Sequence, residues 1–195
     1  MRYGKSFSCG SGHILADEKV IGSVRQWVES VVVGLNLCPF AKRELVKNRV
    51  RFVVTKATNE DQLLVALEAE LDLLSSEASV ETTLLIHPGV LQNFYAYNQF
   101  LNAADALLRQ MTLEGVYQIA SFHPKYEFAG TGQDDVENYT NRSPYPMLHL
   151  IREEGLERAI ASYPDVDNIP EQNKKLMESL GEVKMKKLLA ACFER

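Results

Sequence analysis

Three short β-rich runs, VRFVVT (50–55), TTLLIHP (82–88) and VYQIASFHP (116–124), are separated by stretches long enough for amphipathic helices, and this alternation constrains the fold most. Strands joined through helices need crossover connections, which place successive strands parallel and right-handed in one sheet. In the first intervening stretch, Asn59 followed by Gln62 forms a capping box ahead of the apolar stripe Leu63, Leu64, Leu67, Leu71 and Leu74. The second carries Phe94, Tyr97, Leu101, Ala104, Leu108 and Met111 at helical spacing. Upstream of the first run, Val20, Val24, Trp27, Val28, Val31 and Leu35 repeat with the same period from a cap at Asp17. In VRFVVT, Val50, Phe52 and Val54 share one face, and that face is core.

After the third run the pattern breaks. More than twenty residues pass before Pro146, which suits the first turn of a helix reaching about Ser162. A loop with Pro164 and Pro170 then leads to a final helix bearing Leu176, Leu180, Val183, Leu188 and Ala191. The expected architecture is an α/β domain over residues 17–195, with a small, mostly parallel sheet of about three strands layered with five helices. Residues 1–16, rich in Gly and Ser, read as a loose tail.

With 46% apolar and 24% charged residues among 195, the chain can bury a real core. A net charge of −5 argues against a general nucleic-acid binder. The stretch 42–56 is locally basic, with six basic residues against one acid, yet it lacks interleaved stacking groups and reads as a solvated or ion-paired face. No run approaches the length of a membrane helix and no signal peptide is evident, so no membrane partner and a cytoplasmic location are expected. Cys9, Cys38 and Cys192 are too scattered for a disulfide framework.

Two strands end in His-Pro, at His87 and His123. In a parallel sheet both belong to the rim of strand carboxyl ends, where open α/β folds place ligands. The long segment after His123 is dense in polar and aromatic residues, the composition of a packed lid rather than a disordered linker. These features predict a small-molecule enzyme in which His87 and His123 serve as acid and base and Asp135 orients or shares protons. Lys125, Tyr126, Asn141, Arg142 and Ser143 are the candidate substrate-binding residues, with Arg142 and Asn141 anchoring a small anionic molecule. His149 and Glu153, four apart on the expected fourth helix, share a face. With Cys38, His87 and His123 they are candidate ligands for a metal or haem, which is the alternative reading. A noncatalytic module that docks a partner through the loop aromatics is the third.

Three stretches, LNLCPFA (35–41), FHPKYEFAGT (122–131) and YTNRSPYPMLHLIRE (139–153), together resemble the bacterial family of domain of unknown function 1415. The likeness extends from about Val20 onward, with EEGLERA around Gly155 a small departure. The resemblance implies a soluble bacterial protein and assigns no reaction.

Overall fold

The computed structural model describes residues 11–163 and 165–194. The first helix, α1 (Ser11–Trp27), begins well ahead of Asp17, so part of the expected tail is helical; Cys9 lies outside the described residues. It continues through a π-helical turn, Val28–Val33, into the short α2 (Ala41–Val46). Then follow β1 (Val50–Val54), α3 (Glu60–Ser76), β2 (Thr82–Ile86), α4 (Phe94–Gln110) and β3 (Tyr117–Phe122). The Asn59 side chain accepts from the Gln62 N–H at 2.9 Å, and Gln62 Oε1 accepts from the Thr58 N–H at 2.9 Å, so α3 opens on a reciprocal cap one residue wider than the usual box.

The expected fourth helix is corrected. Its first half is a strand, β4 (Met147–Arg152), and only Glu153–Ala161 is helical, as α5. Among the described residues six α-helices, counting the last, α6 (Ile169–Ala191), therefore surround four strands in the order β1-β2-β4-β3. The sheet is mixed: β1 and β2 are parallel, while β4 runs antiparallel to both β2 and β3. The cause of the misreading is β4's central position. A strand paired on both edges and covered on both faces loses the apolar–polar alternation of a half-exposed strand, and Met147, Leu148 and Leu150 are all fully buried.

Helices cover both faces. On one, Leu63, Leu67 and Leu71 of α3 and Tyr97 and Ala104 of α4 pack on Leu85, Leu148 and Leu150. On the other, Val24, Trp27, Val28 and Val31 join Met177 and Met185 of α6 over Leu84, Ile86 and Met147. α6 is broken at Gly181, whose φ of 73° is open to glycine at little cost. The basic stretch is ion-paired: Arg51 makes a bidentate contact with the buried Glu70 of α3 at 2.7 and 3.0 Å, and Arg49 reaches Glu44 and Glu81. No helix among the described residues is long and apolar enough to cross a membrane.

Candidate functional site

Because β4 is antiparallel to both of its neighbours, β2 and β3 remain parallel to each other, and His87 and His123 lie on one rim. They flank the start of β4, where Ile86 and Phe122 are both register partners of Met147. The Tyr97 ring contacts both imidazoles, with centroids 5.8 Å from His87 and 5.1 Å from His123. Its hydroxyl accepts from the Phe122 N–H at 3.0 Å and donates to the Met147 carbonyl at 2.8 Å, so it is inserted in the β3–β4 ladder. Burial pushes the Tyr97 phenol well above its ordinary pKa.

Both ring nitrogens of His123 are engaged by backbone. Nδ1 accepts from the Lys125 N–H at 2.9 Å, which leaves the proton on Nε2 to be donated to the Leu91 carbonyl at 3.1 Å. Leu91 itself is held at a φ of 57°, a left-handed conformation that costs about 1 kcal/mol for such a residue. His87 donates from Nδ1 to the Val90 carbonyl at 3.1 Å, while its Nε2 is buried without a partner. Burial, with the neighbouring His123 adding to it, pulls the His87 pKa down to about 4, so the ring is neutral near pH 7. Neither imidazole lines the best-formed clefts and cavities among the described residues, which measure 290–670 Å³.

The segment His123–Pro146 is the connection of an antiparallel pair, a long hairpin loop folded into a lid. Its central lock is the fully buried Asn138, whose Oδ1 accepts from the Phe128 N–H and the Thr131 hydroxyl at 2.9 Å each, while Nδ2 donates to the Gly132 carbonyl at 2.8 Å. Arg142, only 7% exposed, donates to the carbonyls of Tyr126 and Gln133 and lies 4.6 Å over the Tyr139 ring. Those guanidinium donors hold the loop. Ser143 donates to the Tyr145 carbonyl at 2.7 Å, and the exposed Asp135 accepts from the Gly132 N–H at 2.8 Å. Asn141 donates to the Ser121 carbonyl at 3.1 Å and lines a 470 Å³ cleft against α6. Lys125 and Tyr126 line a different, 670 Å³ cleft beside α4. Tyr126 packs on Phe94 and Phe128, at 5.0 and 4.9 Å, so the loop aromatics form a wall. The structure brings His87 and His123 together and distributes the other candidates over separate places.

His149 and Glu153 do not share a helix. His149 points from the middle of β4 to the α1 face of the sheet, and Glu153 opens α5 with its N–H on the Val116 carbonyl. Among the described residues no three His, Cys, Asp or Glu side chains form a group that could hold a metal ion.

His149 instead lines a half-open, largely apolar cavity of about 290 Å³. The floor is the sheet, where Leu84, His149 and Ala120 are register neighbours across β2, β4 and β3. The roof is Trp27, Val28 and Val32, then Phe40, Ala41 and Leu45 around α2, and Leu156 and Ala159 of α5. One small residue makes room: Ala120 leaves a gap in a floor of large side chains. Gly155 makes room for a side chain instead, since a Cβ there would meet Glu81 Oε1 at 1.6 Å.

The tautomer of His149 follows from its partner. The Thr82 hydroxyl donates its proton to the Leu150 carbonyl at 2.6 Å, so its contact with His149 Nε2, at 2.7 Å, must be as acceptor. Nε2 therefore carries the ring proton, and Nδ1 presents a lone pair with no partner among the described residues. Burial draws the pKa down to about 4, yet the residue retains accessible surface. As a lining residue His149 shows that surface to the cavity. The Trp27 indole N–H, in the same wall, is sealed and unpartnered.

Cys38 belongs to both this cavity and the 470 Å³ cleft, as do Val32 and Phe122, so the two spaces are neighbours. Burial raises the Cys38 thiol above its ordinary pKa, so it is neutral rather than a thiolate. Segments distant in sequence converge here: Leu37, Cys38, Phe40 and Ala41; Phe122 and Phe128; Thr140, Asn141, His149 and Ile151.

The family described as "Protein of unknown function (DUF1415)" matches residues 19–187 of the 195. The chain belongs to this family. No curated protein and no solved structure matches it. The DUF1415 match spans all three segments that meet at Cys38 and the whole of β4. Of the cavity residues, Trp27, Thr82, Ala120, Phe122 and Gly155 carry no polar motif. Only the small Ala120, set between larger residues, hints in the sequence that space is kept there.

Proposed function

We propose that the protein binds a small molecule in the cavity between the sheet and the layer of α1, α2 and α5, with the Asn141 cleft as its outer vestibule. The observation that supports this reading best is His149 Nδ1, a lone pair held in a fixed tautomer and left free, among the described residues, in a largely apolar cavity. Buried polar atoms are nearly always paired within the protein, so one aimed into a cavity suits a ligand. A neutral imidazole there can also accept a proton during turnover, which moves the expected histidine acid–base chemistry from the rim to the sheet face.

The test is a cavity-filling variant. Ala120→Leu places a larger side chain on the floor beside His149 without touching a hydrogen bond. Small apolar probes that raise the melting temperature of the wild type should lose that effect in Ala120→Leu, with far-UV circular dichroism unchanged. Equal shifts in both proteins would place binding elsewhere.

A second reading retains catalysis at the strand ends, and it is supported by the unpartnered Nε2 of His87. It requires the turn Val90–Gln92 to open, because that turn and Phe94 cover the imidazoles. Faster hydrogen exchange at the Leu91 and Gln92 amides than at β2 would support it; equal protection would count against it.

A further inference from the structure

Charge narrows what the cavity can hold. The acids in its wall, Glu44 and Glu81, are paired with Arg49, and the guanidinium of Arg152 is committed to the carbonyls of Val80, Leu74 and Glu77 and to the Tyr117 hydroxyl. Among the described residues no lining cation is left to neutralise an anion, and moving a carboxylate into such a space unpaired is costly. A cation would find Glu44 and Glu81 already satisfied. The favoured occupant is uncharged.

Shape and hydrogen bonding narrow it further. The Trp27 and Phe122 rings meet edge to face at 5.3 Å, and Phe122 lies 6.0 Å from the His149 ring, so one side of the space is walled by aromatic edges and faces. Such walls suit a flat ring. An apolar cavity of about 150 Å³ accommodates benzene, so 290 Å³ has room for two fused rings. The open polar group is a lone pair, which only a donor can satisfy. Carboxylates, ethers and ketones lack that donor; phenols and indoles have one.

Resting on the reading that this cavity is the ligand site, we infer that its ligand is a neutral aromatic hydrogen-bond donor of one or two rings, a phenol or similar, whose O–H or N–H is received by His149 Nδ1. The Thr82 hydroxyl acts as a positioning group by keeping the proton on Nε2. Thr82→Val removes that contact and frees the ring to adopt the opposite tautomer.

Titration calorimetry with 2-naphthol, naphthalene and 2-naphthoate tests this. 2-Naphthol should bind about tenfold more tightly than naphthalene, the worth of one net hydrogen bond, and 2-naphthoate should not bind detectably at pH 7. His149→Phe should abolish the preference for 2-naphthol over naphthalene. Should that variant misfold, the His149 Nδ1 nitrogen resonance of the labelled wild type should move on adding 2-naphthol and stay still with naphthalene. Equal affinities for 2-naphthol and naphthalene, both abolished by Ala120→Leu, would overturn the donor inference and leave the cavity reading standing. Binding of neither by the wild type would overturn both.

Discussion

The strand-end rim holds two buried histidines and the sheet-face cavity one that retains accessible surface, each in a fixed tautomer, and the two places differ in what the second nitrogen does. At the rim, His123 spends both nitrogens on backbone and thereby ties the end of β3 to the Leu91 turn. In the cavity, His149 spends one on Thr82 and leaves the other facing a space. His87 is intermediate, with one nitrogen used and the other sealed. A histidine at the carboxyl edge of a sheet is therefore not a site by position alone. What separates a structural imidazole from a functional one is a free lone pair with room in front of it.

Acid should show the largest effect common to both places. The folded pKa values of His87 and His149 are about 4, below the ordinary 6.5. Between those values the unfolded chain binds more protons than the folded one, so stability is complete above pH 6.5 and is lost as pH falls toward 4. Each residue should contribute about 3 kcal/mol to this loss. Urea unfolding at pH 7 and 5 checks the sign, and the two regions separate if a cavity ligand steepens the slope while His87→Gln flattens it.

His123→Ala should cost about 3 kcal/mol at pH 7, because it leaves the Leu91 carbonyl and the Lys125 N–H without their partner as well as a void. Ligand affinity at the cavity should be unchanged. A variant that folds stably but loses binding would return the site to the rim.

Arg142→Met should cost about 2 kcal/mol by removing charge-assisted bonds to two loop carbonyls while retaining much of the packing on Tyr139. Faster proteolysis within residues 127–135 would report a loosened lid. A loss of affinity for anions with no change in protease sensitivity would instead revive the anion anchor.

Ala120→Leu should have the smallest effect on stability, within about 1.5 kcal/mol of wild type, since the added methylenes enter existing space. Its effect on ligand binding should be complete. A large destabilisation would show that the cavity collapses in solution.

The helix periods, the three strands that alternate with helices and the cap at Asn59 were legible because each depends on residues within one or two turns. The shared rim of His87 and His123 was legible too, and it survives the mixed sheet because two antiparallel pairings restore a parallel relation. β4 was not legible. MLHLIR combines good helix formers with no alternation, and only its insertion between β2 and β3 makes it a strand. That insertion also removed His149 from a surface helix and gave it Thr82 as a partner from a strand 67 residues away.

The sequence by itself determined an α/β chain of the DUF1415 family, the helix faces, and a long polar segment that is ordered instead of loose. Local periodicity and turn chemistry are enough for that. Only the tertiary structure decided which histidine is free, because the fate of a ring nitrogen depends on carbonyls and hydroxyls brought from distant segments. It also decided where space remains, since a cavity is set by where a small residue, here Ala120, falls between packed layers.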